Sequence, residues 1–484
     1  MARIEEARVS VTRDEGPRNY LNRRQEWSLR VLAVGLITVV AFEAIAVATA
    51  MPTVMRSLDS KNLYALAMGV PMAGQLITTA LAGPWSDTKS PQSCLYTGVA
   101  ALFTGLLVCT IAPNAYVLIL GRAIQGLGGG LVVVPLYTMV GYNVRPSRQP
   151  GFFAAFAAAW VVPAIVGPAV AGFIVQHASW RIVFGVVPAV LLLAAPSLVM
   201  STRTIPYETT PTTRSELRRS AMPALIAGIA VGVLQAVSGT PSDSFSAWLI
   251  TVIALATVIA FVSIQPLLPL GTFISRRGLA STVLLRGLIN GSFIGIEAFL
   301  PLLLQDVHGW NPAQAGLILT VGSVTWAIGS AIQGRITSFS GRRRLAVTGA
   351  FIQLFGILVV LPGSFPEVTG LVVLAGWTIS GLGIGLSYPA MTVHGLSLTT
   401  PENQGRTSSA LQLADTLGSA FCVAIGGIAF ALVMPQESAA FATVFGGIAL
   451  VMLMAVMVAR RVQPHPGSRE EAQQRASLAA DHEQ

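Results

Sequence analysis

Apolar runs of about 20 residues recur from Trp27 to Ala459, and each matches the roughly 30 Å of hydrocarbon that a spanning helix must cross. In lipid every backbone N–H and C=O must be satisfied internally, which leaves helices or closed barrels, and runs of this length are helical. Only 11% of the 484 residues are charged, against roughly 25% in a soluble domain. The chain reads as an all-α polytopic membrane protein.

Six spans fall within residues 27–200 and six more within 271–459. Between them lie a polar linker, 201–220, and two further apolar helices in 221–266, for an expected total of fourteen. Residues 1–26 and 460–484 are polar tails. The first 26 residues are too charged for a cleavable signal peptide. Arg23, Arg24, Arg145, Arg148, Arg203, Arg218, Arg219, Arg276, Arg277, Arg342, Arg343, Arg344, Arg406, Arg460 and Arg461 share one side, and the other shows little beyond Arg56, Lys61 and Arg181. The bias of basic residues toward the cytoplasm places both termini inside. The net charge of +9 is dispersed in short loops, so nucleic-acid binding is not expected. Cys94, Cys109 and Cys422 lack metal-ligand spacing and read as packing residues.

An internal repeat organises the two groups of six. Gly121–Gly130 reads GRAIQGLGGG and Gly376–Gly385 reads GWTISGLGIG, with the two segments 255 residues apart. The fourth span of each half is thus a copy of the other. Near the same offset Glu43 corresponds to Glu297, whereas Arg122 corresponds to Trp377. The halves share a glycine frame and differ in polar chemistry. Rocking of two such halves about a midplane site is the mechanism the repeat implies.

Four segments carry a family resemblance. Gly83–Gln92, GPWSDTKSPQ, keeps Gly83 and Asp87 of a G-x-x-x-D-R-x-G-R-R loop, although Thr88 replaces its arginine. Leu118–Gly126 contains Arg122, Gln125 and Gly126 of R-x-x-Q-G. Gly167–Gly172, GPAVAG, is similar to G-P-x-x-G-G. Glu43 precedes Ala50, Met51 and Pro52, as an acidic residue precedes A-L-P in exporters. Together they resemble the major facilitator superfamily, specifically its fourteen-helix drug/proton antiporter branch. The resemblance implies a multidrug efflux protein of the bacterial plasma membrane, contributing to antibiotic resistance, active as a monomer and driven by the proton gradient without a cofactor or metal. It also implies gating roles for Asp87, Gly167, Pro168, Gly172 and Arg342. In the second copy of the loop Ser338 stands where an acid is usual, with Gly341 and Arg342 retained.

Depth links the first and fourth spans. Glu43 lies about 24 Å into an outward-running helix and Arg122 about 11 Å from the outer end of an inward-running one, at 1.5 Å per residue. These levels differ by about one turn, so an ion pair is allowed. Burial favours the neutral acid and a neighbouring cation favours the carboxylate, which would let a conformational change drive proton exchange. The alternative is a permanent pair that only fixes packing. Glu297, without a basic partner in its own half, is a second proton carrier, a ligand for a cationic substrate, or a hydrogen-bonded neutral acid. Asp415 lies near mid-membrane with Gln412 one turn before it, as a polar residue of the cavity and a further proton-coupling candidate. Arg286, only about seven residues into its helix, is expected to snorkel to the surface.

Phe42, Trp160, Phe293, Trp326 and Tyr388, with Glu297 and Gln412, are the substrate-binding candidates, since aromatic faces and acids suit lipophilic cations. Met68, Met72, Phe299, Phe355 and Met391 belong to the same apolar set, of which fewer than half should meet ligand. Pro163 and Gly167-Pro168 should kink or flex the fifth span. No nucleotide-binding loop is present, which argues against ATP coupling. The expected function is proton-coupled export of hydrophobic or amphipathic compounds. Two alternatives stay open: export of a lipid or endogenous metabolite, and a non-transporting sensor or scaffold.

Overall fold

The computed structural model describes residues 20–145, 148–203, 205–206, 214–240, 246–336, 339–399 and 404–462; the side chains of 87, 150, 153, 154, 157, 214–220, 339–343 and 404–406 are outside that description. The described residues form α-helices joined by short turns and 3-10 segments. In chain order they are α1 (Arg23–Ser57), α2 (Tyr64–Thr88), α3 (Pro91–Thr110), α4 (Ala115–Asn143), α5 (Gln149–His177) and α6 (Trp180–Thr202). Then come α7 (Arg214–Val237), α8 (Ala247–Ile264), α9 (Leu279–Glu297), α10 (Leu300–Asp306) and α11 (Pro312–Gly334). The last four are α12 (Phe339–Val360), α13 (Gly370–Ser397), α14 (Gln404–Val433) and α15 (Glu437–Ala459). Among the described residues, thirteen helical segments are long and apolar enough to cross a membrane, with α9 and α10 counted as one, and Ala221–Val237 is a shorter apolar helix.

Local chemistry sets several starts. Asn22 and Gln25 form a reciprocal capping box on α1, with bonds of 2.9 and 3.1 Å, and Asn311 and Gln314 repeat it on α11 ahead of Pro312. Asn114 caps α4 through the Val117 amide at 3.0 Å. Both ends of the described chain reach one face: the Leu21 amide donates to Asn143 at the end of α4, and Gly278, ahead of α9, donates to Arg461 after α15. This is the terminal face.

The glycine frame of the repeat is a packing device in both halves. In α4, a Cβ on Gly126 would sit 2.2 Å from the Pro71 carbonyl oxygen of α2, and one on Gly128 2.5 Å from the Leu102 amide of α3. In α13, a Cβ on Gly381 would lie 2.4 Å from the Gly322 carbonyl oxygen of α11. Bare backbones therefore touch on both sides of the fourth helix of each half, where lipid offers no hydrophobic drive and close approach supplies the attraction.

One feature departs from the expected helices. The seventh span is broken rather than continuous: Pro301 has no N–H to give the Glu297 carbonyl, so α9 stops at Glu297 and α10 restarts at Leu300. The Tyr64 hydroxyl of α2 donates to the Ala298 carbonyl inside this break. The fifth span, by contrast, stays one helix through Pro163 and Pro168. Near its second proline the Thr320 hydroxyl of α11 donates to the Ile165 carbonyl at 3.0 Å.

The first inserted helix, α7, sits over the seam between the halves, and α8 packs on it. Helix α7 packs on both α2 and α14. The Gln235 amide donates to the Ala420 carbonyl of α14 at 2.8 Å and lies where any Cβ on Gly69 of α2 would be.

Candidate functional site

On the N-terminal side, α1 and α4 bring Glu43 and Arg122 together. Arg122 Nη1 is 2.8 Å from Glu43 Oε1, and the two residues are 5% and 4% exposed. Burial at this level leaves the guanidinium to find its partners within the protein, and Nε and Nη1 do so. It also donates to the Gln125 side-chain oxygen one turn along α4 and, through Nε at 3.2 Å, to the Ala67 carbonyl of α2. Gln125 explains the R-x-x-Q-G spacing: three residues on, it lies on the same helix face as Arg122. The Gly126 contact with Pro71 brings α2 close enough for its carbonyl to serve.

The C-terminal half carries a second buried pair. Arg286 of α9 meets Asp415 of α14, with Nη2 to Oδ2 at 2.7 Å and Nε to both carboxylate oxygens at 2.9 and 3.0 Å. The snorkelling expected of Arg286 is incorrect: the residue is 7% exposed. The reason is tertiary. Gly291 faces the Gly418 backbone, where a Cβ would be 2.6 Å away, so α9 and α14 pack tightly enough to offer Arg286 a carboxylate in place of the surface. Tyr388 of α13 completes the cluster, receiving a bond from Arg286 and donating one to Asp415, both at 2.8 Å, beneath the guanidinium at 4.2 Å from its ring centre. Thr392 and Asn290 add further bonds, Thr392 to the guanidinium and Asn290 to the Asp415 carbonyl and the Ser419 hydroxyl.

An aromatic row runs from this cluster toward Glu297. Trp326 lies 5.6 Å from Tyr388 and 5.1 Å from Phe293 between ring centres, and Phe293 stacks on Trp377 at 4.2 Å. Trp377 holds the repeat position of Arg122, so an aromatic plane replaces the cation. Glu297 lies one turn beyond Phe293 at the end of α9, partly buried, with neither a hydrogen bond nor an ion pair among the described residues. Three of the substrate-binding candidates, Phe293, Trp326 and Tyr388, thus come together with Glu297 nearby. Phe42 packs at α5 beside Gly167, whereas Trp160 and Gln412 are exposed. Phe299 is core, against Tyr64 and Phe430, and Phe355 is 58% exposed on the surface.

Of the gating candidates, Gly172 and Pro168 lie where the halves touch. A Cβ on Gly172 would be 2.6 Å from Ala313 Cα, and Gly316 faces the Pro168 carbonyl. Gly167 faces α1 at ordinary contact distance and tolerates a Cβ. The side chains of Asp87 and Arg342 fall outside the described residues.

Sequence reasoning missed an ion network on the face opposite the termini. Asp306 at the end of α10 receives Arg56 of α1 at 3.1 Å and Lys61 at 2.7 Å, and Lys61 also pairs with Glu437 at the start of α15. Arg56 reaches Gln305 as well, at 2.9 Å. The signal was present: Arg56 and Lys61 stand out on a face otherwise poor in bases. Asp306 is largely buried while its partners are 30 to 42% exposed, so single pairs contribute modestly and the shared acid joins them. With Gly172 against Ala313, this network holds the halves together on that face. Asp306→Lys is expected to open it, read as several-fold faster labelling of a Thr53→Cys reporter by an impermeant maleimide applied from that side. An unchanged rate would show that packing alone closes the face.

Two six-helix halves related by a repeat, each with a buried ion pair, and an inserted helix laid across their seam define a membrane transporter. The chain belongs to the Major Facilitator Superfamily, whose family model matches residues 32–299 and 282–481. It is 23% identical over 415 residues to the multidrug transporter protein MdtP of Bacillus subtilis, covering 82% of this chain and 74% of that one. It is 21% identical over 392 residues to a probable multidrug-efflux transporter, Rv1634, of Mycobacterium tuberculosis, covering 78% and 82%. Among solved structures, a D-xylose–proton symporter superposes with a TM-score of 0.66 at 15% identity, over 90% of this chain and 98% of that one. A bacterial homologue of the lysosomal transporter Spinster gives 0.65 at 13%, over 92% and 100%. At such identities these structures speak for the fold alone.

Proposed function

We propose that the protein exports hydrophobic or amphipathic compounds, lipophilic cations among them, in exchange for protons across a bacterial plasma membrane, with both termini cytoplasmic. The observation that carries this reading is the buried Glu43–Arg122 pair. The guanidinium 2.8 Å away favours the carboxylate form, and separating the two in a low-dielectric core favours the protonated acid. Both residues belong to the N-terminal half, so the pair opens by a shift of α1 against α4 within that half as the two halves rock about the midplane. Glu297, unpaired beside the aromatic row, is the group on which a cationic substrate competes with a proton, and ring quadrupoles at Phe293 and Trp326 add to the attraction. Arg286–Asp415, tied down by Tyr388 and Thr392, serves as the fixed point of the C-terminal half rather than as a second coupling pair. The names of the relatives, multidrug transporters, support the substrate class.

The test is substrate-dependent proton release. Purified protein in weakly buffered detergent solution with a pH indicator should acidify the medium when a lipophilic cation such as ethidium is added. Glu43→Gln/Glu297→Gln should release none. Binding of ethidium and of neutral amphiphiles without proton release would point to passive transport or sensing instead.

A further inference from the structure

We infer that a cleft between the inserted helices and the C-terminal half, at the terminal face, is a binding site for one anionic phospholipid. The cleft has a volume of about 770 Å³ and lies among α8, α9, α14, α15 and the loop that joins α8 to α9. That volume is within the range of about 300–1,000 Å³ seen for small-molecule sites. Its walls are apolar, with Phe261 and Phe421 edge to face at 4.8 Å, and Leu288, Leu417, Met454 and Met457 around them. Flexible thioethers among branched aliphatic groups suit an acyl chain, which has no fixed shape to match.

The opening is chemically different. Arg277, Arg460 and Arg461 line it, and all three are exposed. The Arg461 guanidinium reaches the Ile274 carbonyl at 3.4 Å, while its own carbonyl accepts from the Ser281 hydroxyl at 2.8 Å, so the loop and the end of α15 form one rim. Ser275 lines the same cleft at 8% exposure, and its hydroxyl has no hydrogen-bond partner among the described residues. A buried hydroxyl without a partner costs free energy, and a ligand oxygen at the rim removes that cost. Among the described residues no acid lines the cleft. Three guanidiniums over an apolar slot complement a phosphodiester with its chains below, since the planar fork matches phosphate oxygens in pairs. Basic pockets between helices at the cytoplasmic surface recognise anionic headgroups in this way. A zwitterionic lipid brings a cation to the same rim and is disfavoured. The site also touches the transport machinery: Gly287 and Ala414, which line it, are chain neighbours of Arg286 and Asp415.

Phosphatidylglycerol is the probe. The full chain is purified from phosphatidylcholine nanodiscs containing a minor fraction of phosphatidylglycerol, and retained lipid is counted by native mass spectrometry. Wild-type protein should keep one phosphatidylglycerol in preference to phosphatidylcholine. Arg277→Gln/Arg460→Gln/Arg461→Gln should weaken that retention by one to two orders of magnitude, from about three lost surface charges. Leu417→Trp should weaken it with every charge intact, by filling the slot. Arg23→Gln/Arg24→Gln/Arg203→Gln removes the same charge from the same face outside the cleft and should leave retention unchanged. Equal retention of phosphatidylcholine, or equal loss in both triple variants, would overturn the proposal. So would increased retention after removal of residues 463–484, because the cleft would then belong to the tail.

Discussion

Glu43→Gln is expected to reduce export driven by an imposed pH gradient in proteoliposomes to the level of empty liposomes, while exchange of labelled for unlabelled substrate without a gradient continues. Glutamine keeps the size of the side chain and an oxygen for Arg122 Nη1, now 2.8 Å from the carboxylate. What it removes is the ability to carry a proton. Arg122 keeps Gln125 and the Ala67 carbonyl as partners, so the helix should hold its place. Retained exchange shows that the variant is folded and binds substrate, which isolates coupling as the lost step. Uphill export at the wild-type rate would remove Glu43 from coupling and leave the pair as a packing device.

The second large effect concerns the other pair. Asp415→Leu leaves the Arg286 guanidinium with a tyrosine and a threonine but no counter-charge, at 7% exposure. Breaking a buried pair from one side costs about 3–5 kcal/mol, whereas replacing both members with apolar groups is often neutral. Asp415→Leu is therefore expected to lower the thermal unfolding midpoint in detergent markedly, and Arg286→Met/Asp415→Leu to recover most of it. The same double variant should still couple protons to export, since this pair is assigned to scaffolding. Loss of coupling in a double variant of wild-type stability would falsify that assignment and make Asp415 a proton carrier.

These two pairs show how far sequence reasoning reaches in such a chain. The Glu43–Arg122 contact followed from counting residues along two helices, because a bilayer of known thickness turns sequence position into depth. The same arithmetic failed for Arg286. Depth states how far a side chain lies from water along its own helix, and says nothing of which neighbour lies beside it. Asp415 is 129 positions away, delivered by the close approach of Gly291 and Gly418. The break after Glu297 was legible in Pro301, whose missing N–H strands the carbonyl four residues back. Its consequence was not, because the donor in the break, Tyr64, comes from the other half. The network at Asp306 likewise joins three segments distant in the chain.

What the sequence by itself determined is everything a bilayer and a repeat dictate: helices alone, their approximate spans, the division into two halves, the glycine faces of α4 and α13, and the depth of each buried charge. Only the tertiary structure decided which charges meet, where the inserted helices lie and which face is closed. The physical reason is that crossing the membrane is a local matter of length and apolarity, whereas the price of a buried charge is settled by whichever helix packs against it.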